Sequence, residues 1–414
     1  MELITHRPPG GPDILILRDP AALTASFGWF VATGARDESP EMAGVSHFLE
    51  HMVFKGTASR SADAINRELD HLGAHSNAYT SEDRTVFYAS VIPECQRRVV
   101  DLLTDLMQPS LEAEQFDLER QVILEEIAMY EDQPPYGAFE RANELFFGTH
   151  PLATRVLGTA ETVSNMTVEQ MRQYHRQRYT RDNMIFAASG MVDVDDLIEQ
   201  IEGMVQDWPA TAQVRPAPAP AFLAGRDVIE RELTHQHYAV MVWPGLDWHH
   251  ADRYALKLLC SVLADHGSSR MFWALIDNGL AESVSLYPQY FGDCGCITGF
   301  LCCAPEDAPL VEDTFYQVLQ GLAEKPIEHR ELNLAKNRIE SHLVMSDEYP
   351  SNRMFMLGNA WLERGEYLSL EAELQRLAAV QLDDIQRMAA LLTKEPLVRV
   401  EVVEAQEAGG ESGG

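Results

Sequence analysis

The chain has 414 residues, 46% of them hydrophobic and 23% charged, enough for two or more domains with cores of their own. Asp and Glu total 64 against 32 Lys and Arg, a formal charge of −32, which excludes a nucleic-acid-binding role built on a basic surface. An acidic surface of this kind chiefly keeps a protein soluble, and it also suits basic peptide substrates. No run reaches the ~20 apolar residues of a membrane span. The start, Met1-Glu2-Leu3-Ile4-Thr5-His6-Arg7-Pro8-Pro9, lacks a basic stretch followed by an apolar core, so a cytoplasmic location is expected. The 6 cysteines are too few and too clustered for a disulfide framework and read as buried thiols, Cys294, Cys296, Cys302 and Cys303 in strand-like sequence, Cys95 and Cys260 in helical patterns.

In chain order, residues 13–18 and 26–33 carry the dense apolar content of strands, and 34–40 form a polar, Pro-terminated loop. A short helix follows around His47–His51, and another over 61–72 ends at Gly73. Residues 75–80, 81–84 and 85–91 read as strand, turn and strand, the first strand short and polar as an edge strand would be. Helices are predicted at 93–108, 111–132, 136–147 and 167–177, a strand at 183–189 and a helix at 194–205. Residues 209–226 are Ala/Pro-rich, lack periodicity and read as an extended linker. Beyond it the order restarts: strands at 228–233 and 238–243, a helix at 251–264, strands at 283–290 and 297–303, helices at 310–323, 328–346, 351–364 and 382–392, and a strand at 398–403. The expectation is an α/β (α+β) chain of two similar domains, 1–208 and 227–403, each a mainly antiparallel sheet packed with helices, followed by a polar, disordered tail at 404–414.

The chemistry concentrates in His47-x-x-Glu50-His51. Residues three and four apart share a helix face, so two imidazoles converge on one point with a carboxylate beside them. That is two metal ligands and a general base in little more than one turn, and zinc, which imidazole binds well and which has no redox chemistry, fits them. Gly44-Val45-Ser46 offers a flexible entry and a capping hydroxyl, Phe48, Leu49 and Met52 give apolar surface to bury, and Lys55-Gly56-Thr57 supplies a stop. The predicted helix 111–132 brings a second element: Glu119 and Glu126, seven apart, lie on one face. A catalytic zinc takes three protein ligands and keeps one position open, and His, His and Glu is a known set. Either Glu126 or its neighbour Glu125 has spacing that fits the third ligand, while Glu119 is placed to orient a histidine.

These stretches resemble the pitrilysin family (M16) of zinc peptidases, whose H-x-x-E-H signature is that of the inverzincins, and in particular its half-length bacterial members related to the mitochondrial processing peptidase. The resemblance rests on residues 47–57, on Gly73-Ala74-His75-Ser76-Asn77-Ala78-Tyr79-Thr80, on Glu119-Arg120-Gln121-Val122-Ile123-Leu124-Glu125-Glu126-Ile127, and on Tyr179, Asn183, Met184 and Gly190. In the second half it is weaker and centres on Gly267-Ser268-Ser269-Arg270-Met271-Phe272. It implies one zinc ion per chain held by His47, His51 and Glu126, with Glu119 as the supporting carboxylate, Glu50 as the base that activates water, and Asn77 and Ala78 as contacts to a substrate strand. It also implies a metalloendopeptidase subunit, two of which close around a chamber admitting peptides and unfolded segments. The sequence departs from the family at Leu275-Ile276-Asp277-Asn278-Gly279-Leu280-Ala281-Glu282, where an Arg-rich stretch ending in Gly-Leu-Ala-Tyr is usual. Glu282 stands in the place of the Tyr, and a carboxylate has the wrong sign for stabilising an oxyanion. The expectation is a heterodimer, in which a homologous chain supplies Arg and Tyr; the alternative is a non-catalytic peptide-binding or scaffold subunit.

Overall fold

A computed structural model of the protein describes residues 1–211, 214–215, 218–232 and 234–405. The strands are β1 (Glu2–His6), β2 (Asp13–Arg18), β3 (Ala25–Val31), β4 (His75–Thr80), β5 (Thr85–Val91), β6 (Met184–Gly190), β7 (Gly225–Arg231), β8 (His237–Pro244), β9 (Ser283–Tyr290), β10 (Gly295–Cys303) and β11 (Val398–Glu404). They form two sheets, in the orders β1-β2-β6-β3-β5-β4 and β7-β11-β8-β10-β9. The pairs β2–β6 and β7–β11 are parallel and the remaining pairs antiparallel. Both sheets are therefore mainly antiparallel with helices packed on them, the architecture expected from the sequence. Each strand of the second sheet has a counterpart in the first (β7 for β2, β8 for β3, β9 for β4, β10 for β5, β11 for β6), and β1 is the extra strand. This shared topology gives physical form to the repeated order of elements in the two halves.

The chain divides into two units that are not continuous in sequence: residues 1–128, 154–217 and 344–368 in one, and 129–153, 218–343 and 369–414 in the other. A cut at residues 208 and 227 would leave two helices on the wrong sheets. Helix Pro350–Arg364 packs on β2, β3 and β6 of the first unit. Its Met354 and Leu357 join Leu15, Leu17, Phe30, Val86, Ile185 and Ala187 in one buried cluster. Gly358 permits this, because a Cβ there would sit 2.5 Å from the Phe30 ring. Conversely, α5 (Pro134–Phe147) packs on β7, β8 and β11 of the second unit, where Ala138, Ala142 and Phe146 meet Val240, Val242, Val398, Val400 and Val402. Both helices show an ordinary apolar stripe, and a stripe does not say which sheet it will cover.

In the first unit the opposite sheet face is covered by α1 (Val45–Val53), which carries site residues, against β4 and β5, and by α3 (Gln96–Leu106) against β3 and β5. Two further helices complete this region, α2 (Ala62–Leu72) and α4 (Ala113–Glu131). With both faces covered, every residue of β3 is buried, which explains its unbroken apolar run. β4 lies at the end of its sheet, as its short polar sequence implies.

Among the described strands and α-helices, three escape the sequence reading: β1, helix Ala160–Asn165 and helix Leu370–Ala379. β1 is a largely exposed edge strand, and six residues are too few to establish a helical period. The expected linker 209–226 overlaps β7, which begins at Gly225, and residues 212–213 and 216–217 of it lie outside the described residues. Within it, Arg215 is an anchor: its guanidinium donates to Asp37 Oδ1 and Oδ2 at 2.8 and 2.7 Å, to Ala32 O at 3.0 Å and to Asp83 O at 2.6 Å. Residue 233 of the expected strand 228–233 also lies outside the described residues, as do 406–414 of the expected tail, while Glu404 closes β11. The six cysteines form no disulfide; Cys260, Cys294, Cys296, Cys302 and Cys303 are buried and Cys95 is partly so. Among the described residues no helix is long and apolar enough to cross a membrane.

Candidate metal centre

The first turn of α1 begins after Gly44, whose backbone is left-handed at φ +93°. Ser46 lies inside the helix rather than ahead of it, and its hydroxyl meets Tyr174 Oη at 2.8 Å instead of capping, so the expected cap is corrected. The apolar side of α1, Phe48, Leu49 and Met52, is buried as its pattern requires. Phe48 stacks on Phe116 of α4 with ring centroids 4.5 Å apart, which fixes the crossing of the two helices.

That crossing sets the ligand geometry. His47 and His51 lie on one face of α1 with ring centroids 4.8 Å apart. Glu126 Oε2 of α4 stands 3.8 Å from His47 Nε2 and 3.6 Å from His51 Nε2. These separations exceed a hydrogen bond. They approach the roughly 3.4 Å between ligand atoms that follows from zinc bonds of 2.0–2.1 Å in a tetrahedron. Of the two adjacent carboxylates left open by spacing, Glu126 reaches the pair of imidazoles, while Glu125 is exposed. Ile123 is buried and Val122, at the next position, is exposed.

Glu119, one face-repeat earlier on α4, is 5% exposed. It accepts from His51 Nδ1 at 2.9 Å and pairs with Lys55 Nζ at 2.6 Å. Burial alone would raise its pKa, but His51 and Lys55 outweigh that and hold it below the usual carboxylate range. A histidine that donates through Nδ1 presents Nε2 as the free lone pair, which is the tautomer a metal ligand needs. Burial also works against the protonated form of His51, but Glu119, Glu126 and Glu50 together raise its pKa. His47 is different. Burial, with His51 beside it, pushes it down to about 4, so its ring is a neutral ligand at ordinary pH. Its buried Nδ1 has no hydrogen-bond partner.

Glu50 is set beside the cluster and joined to the sheet: Thr80 of β4 donates to its Oε2 at 2.6 Å. Burial raises the pKa of Glu50, the Thr80 hydroxyl and the His51 charge pull it back, and Glu126 adds to the rise. Asn77 and Ala78 lie on edge strand β4, three and two residues from Thr80, where the Asn77 Oδ1 accepts the Ala78 N–H at 2.9 Å. Thr80 and Lys55 contribute to the site without a sequence signal of their own, since a lone Thr in a strand and a Lys after a helix are ordinary residues. A second grouping, His237, Glu312 and Glu401, has similar spacing in the other unit. There Arg399 already bridges both carboxylates, so a cation is in place.

Comparisons with known proteins show the family of the chain. The family model described as insulinase (peptidase family M16) matches residues 13–160, and that described as peptidase M16 inactive domain matches residues 165–339. The chain is 34% identical over 394 residues to an uncharacterized zinc protease of Mycobacterium tuberculosis, covering 92% of this chain and 88% of that one. It is 30% identical over 387 residues to one of Bacillus subtilis, covering 93% and 94%. Two solved structures share the fold: a protease from Helicobacter pylori (TM-score 0.91, 19% identity, 97% of this chain and 99% of that one) and a peptidase M16 inactive domain from Pseudomonas fluorescens (TM-score 0.86, 18% identity, 98% of each). The chain belongs to peptidase family M16.

Proposed function

We propose that the protein is a zinc-dependent endopeptidase subunit in which Glu50 acts as the general base. The observation that carries this reading is the convergence of His47 Nε2, His51 Nε2 and Glu126 Oε2 with a fourth, non-ligating carboxylate beside them. A purely structural zinc site closes its coordination and has no use for an adjacent base. One zinc ion bound there would supply Lewis acidity toward a peptide carbonyl and toward water. Glu50 takes a proton from water and returns it to the leaving amine, and its burial keeps it basic enough for the first step. Thr80 holds Oε2 in place and leaves Oε1 for the proton in transit. Edge strand β4 supports the binding of an extended peptide by main-chain pairing, with Asn77 and Ala78 on that strand.

The substrate class that suits such an edge is a peptide or an unfolded segment, enclosed in a chamber formed with a second chain. Glu282 directly precedes β9, its N–H bonded to Cys302 O at 2.9 Å. A carboxylate at that place favours a heterodimer in which a homologous chain brings the Arg and Tyr. The test is zinc content together with hydrolysis of a broad peptide set, for this chain alone and mixed with a homologous chain. Zinc with hydrolysis in the mixture is expected. A chain that takes up no zinc overturns the reading, and zinc without hydrolysis in either sample favours the non-catalytic peptide-binding subunit.

A further inference from the structure

The helix that carries three of the four site residues lacks a cap of its own. Gly44 occupies the N-cap position and has no side chain to accept from the first turn. No other residue fits there: a Cβ on Gly44 would lie 2.5 Å from Leu157 O, and the backbone is already at φ +93°. The free N–H groups at a helix start need acceptors, all the more when the end is buried. Here they are met from outside the helix. Glu38, in the loop that follows β3, reaches back with both oxygens: Oε2 accepts Gly44 N–H at 2.7 Å and Oε1 accepts Ser46 N–H at 2.7 Å. Glu38 is 9% exposed and buried beside Asp37, Ser46 and Tyr174. The Ser46 hydroxyl is held in turn by Tyr174 Oη at 2.8 Å. Burial pushes Glu38 up to about 8, against the pull of the Ser46 and Gly44 N–H groups. Both of its oxygens accept backbone N–H groups, so the geometry is that of a carboxylate acceptor, and these bonds offset the cost of its burial.

We propose that Glu38 is a positioning residue of the metal centre: a remote bidentate cap that fixes the first turn of α1, and through it the direction in which His47 and Glu50 point. The inference rests on the zinc reading of His47, His51 and Glu126. His47 is one residue beyond the capped Ser46 N–H, so a shift of that turn moves its Nε2 directly. His51 is one turn further and is held independently by Glu119. Loss of the cap therefore separates the two imidazoles from their common point rather than moving both together. A carboxamide at 38 still accepts one N–H, but it turns its own N–H groups toward the other, which makes Glu38→Gln a conservative probe.

The experiment measures zinc affinity on the full chain by competition with a chromophoric chelator, alongside thermal unfolding of the metal-free protein. E38Q is compared with wild type and with S61A. Ser61 caps the neighbouring helix α2 by accepting Ala64 N–H and plays no part in the site. E38Q is expected to weaken zinc binding about 10- to 100-fold, the range found for outer partners of metal ligands. S61A is expected to lower the unfolding temperature and leave zinc affinity unchanged. Should E38Q not give folded protein, E38D, which keeps the charge but withdraws it by one methylene, is read in the same way. Zinc binding by E38Q equal to that of wild type overturns the inference alone, as does an equal loss in S61A. Wild type that takes up no zinc overturns the metal reading and this inference with it.

Discussion

Thr80, the last residue of edge strand β4, donates its hydroxyl to Glu50 Oε2 at 2.6 Å. One hydrogen bond thus connects the strand proposed to hold substrate to the base proposed to act on it. It also stabilises the charged form of Glu50 against the burial that raises its pKa. T80V removes this bond while keeping shape and β-propensity. Glu50 then titrates higher, and the acid limb of the pH–rate profile moves to higher pH. Turnover at neutral pH falls about tenfold, the worth of one hydrogen bond of about 1.4 kcal/mol. Zinc content stays at the wild-type level. A pH profile that coincides with wild type would refute the coupling.

Ligand and base are separable by mutation. E50Q keeps all three proposed ligands, so it retains zinc and loses roughly 10²- to 10⁴-fold in peptide hydrolysis, the range for a general base. E126A leaves His47 and His51 as a two-point site and loses the metal along with the activity. Elemental analysis and initial rates on the same two preparations decide the matter. Loss of zinc in E50Q would make Glu50 a ligand rather than a base.

The unequal legibility of this site in the sequence has physical causes. His47, Glu50 and His51 fall within one helical turn, and local geometry dictates how such residues face. The choice between Glu125 and Glu126 depends on the rotation of α4 about its axis. That rotation is set by the stacking of Phe116 on Phe48, a tertiary contact that residue spacing does not contain. Thr80, Lys55 and Glu38 act across gaps of 30, 64 and 8 residues, and nothing local marks them. The fold shows the same division. Strand and helix periods identify most elements, while the placement of α5 and helix Pro350–Arg364 on sheets far from their own sequence neighbours depends on which apolar face is left uncovered. The capping expected of Ser46 fails for a related reason, since a hydroxyl beside a glycine entry is replaced by a carboxylate six residues upstream of Gly44.

Glu119 holds His51 through Nδ1 and is itself held by Lys55. E119Q keeps a hydrogen bond to the imidazole but removes the charge that makes His51 a stronger donor to metal. Zinc affinity falls about 10- to 100-fold. At saturating zinc, hydrolysis recovers most of its wild-type rate, because the carboxamide still orients the ring. E119A, which orients nothing, does not recover. If E119Q and E119A behaved alike, charge rather than orientation would be the whole contribution of Glu119.

His47 gives the metal-free protein a defined acid sensitivity. Its pKa falls from 6.5 to about 4 on folding, chiefly through burial. Below pH 6.5 the unfolded chain takes up a proton that the folded chain refuses until about pH 4, so stability is full above the unfolded pKa and is lost as pH falls through that window. His175, buried and lowered to about 4, acts in the same direction. His51, whose pKa is raised, acts in the opposite direction, because its contribution is present at low pH and lost as pH rises. For His47 alone, the loss between pH 7 and pH 5 is about 2 kcal/mol. H47Q, which cannot titrate, loses less over that interval by about the same amount, as read from urea unfolding of metal-free protein at the two pH values. Zinc does not remove this acid sensitivity, since a ligated imidazole stays unprotonated in the folded chain while the unfolded chain still takes up its proton. Equal losses in H47Q and wild type would show that His47 titrates alike in the folded and unfolded chain, and that burial does not disfavour its charged form.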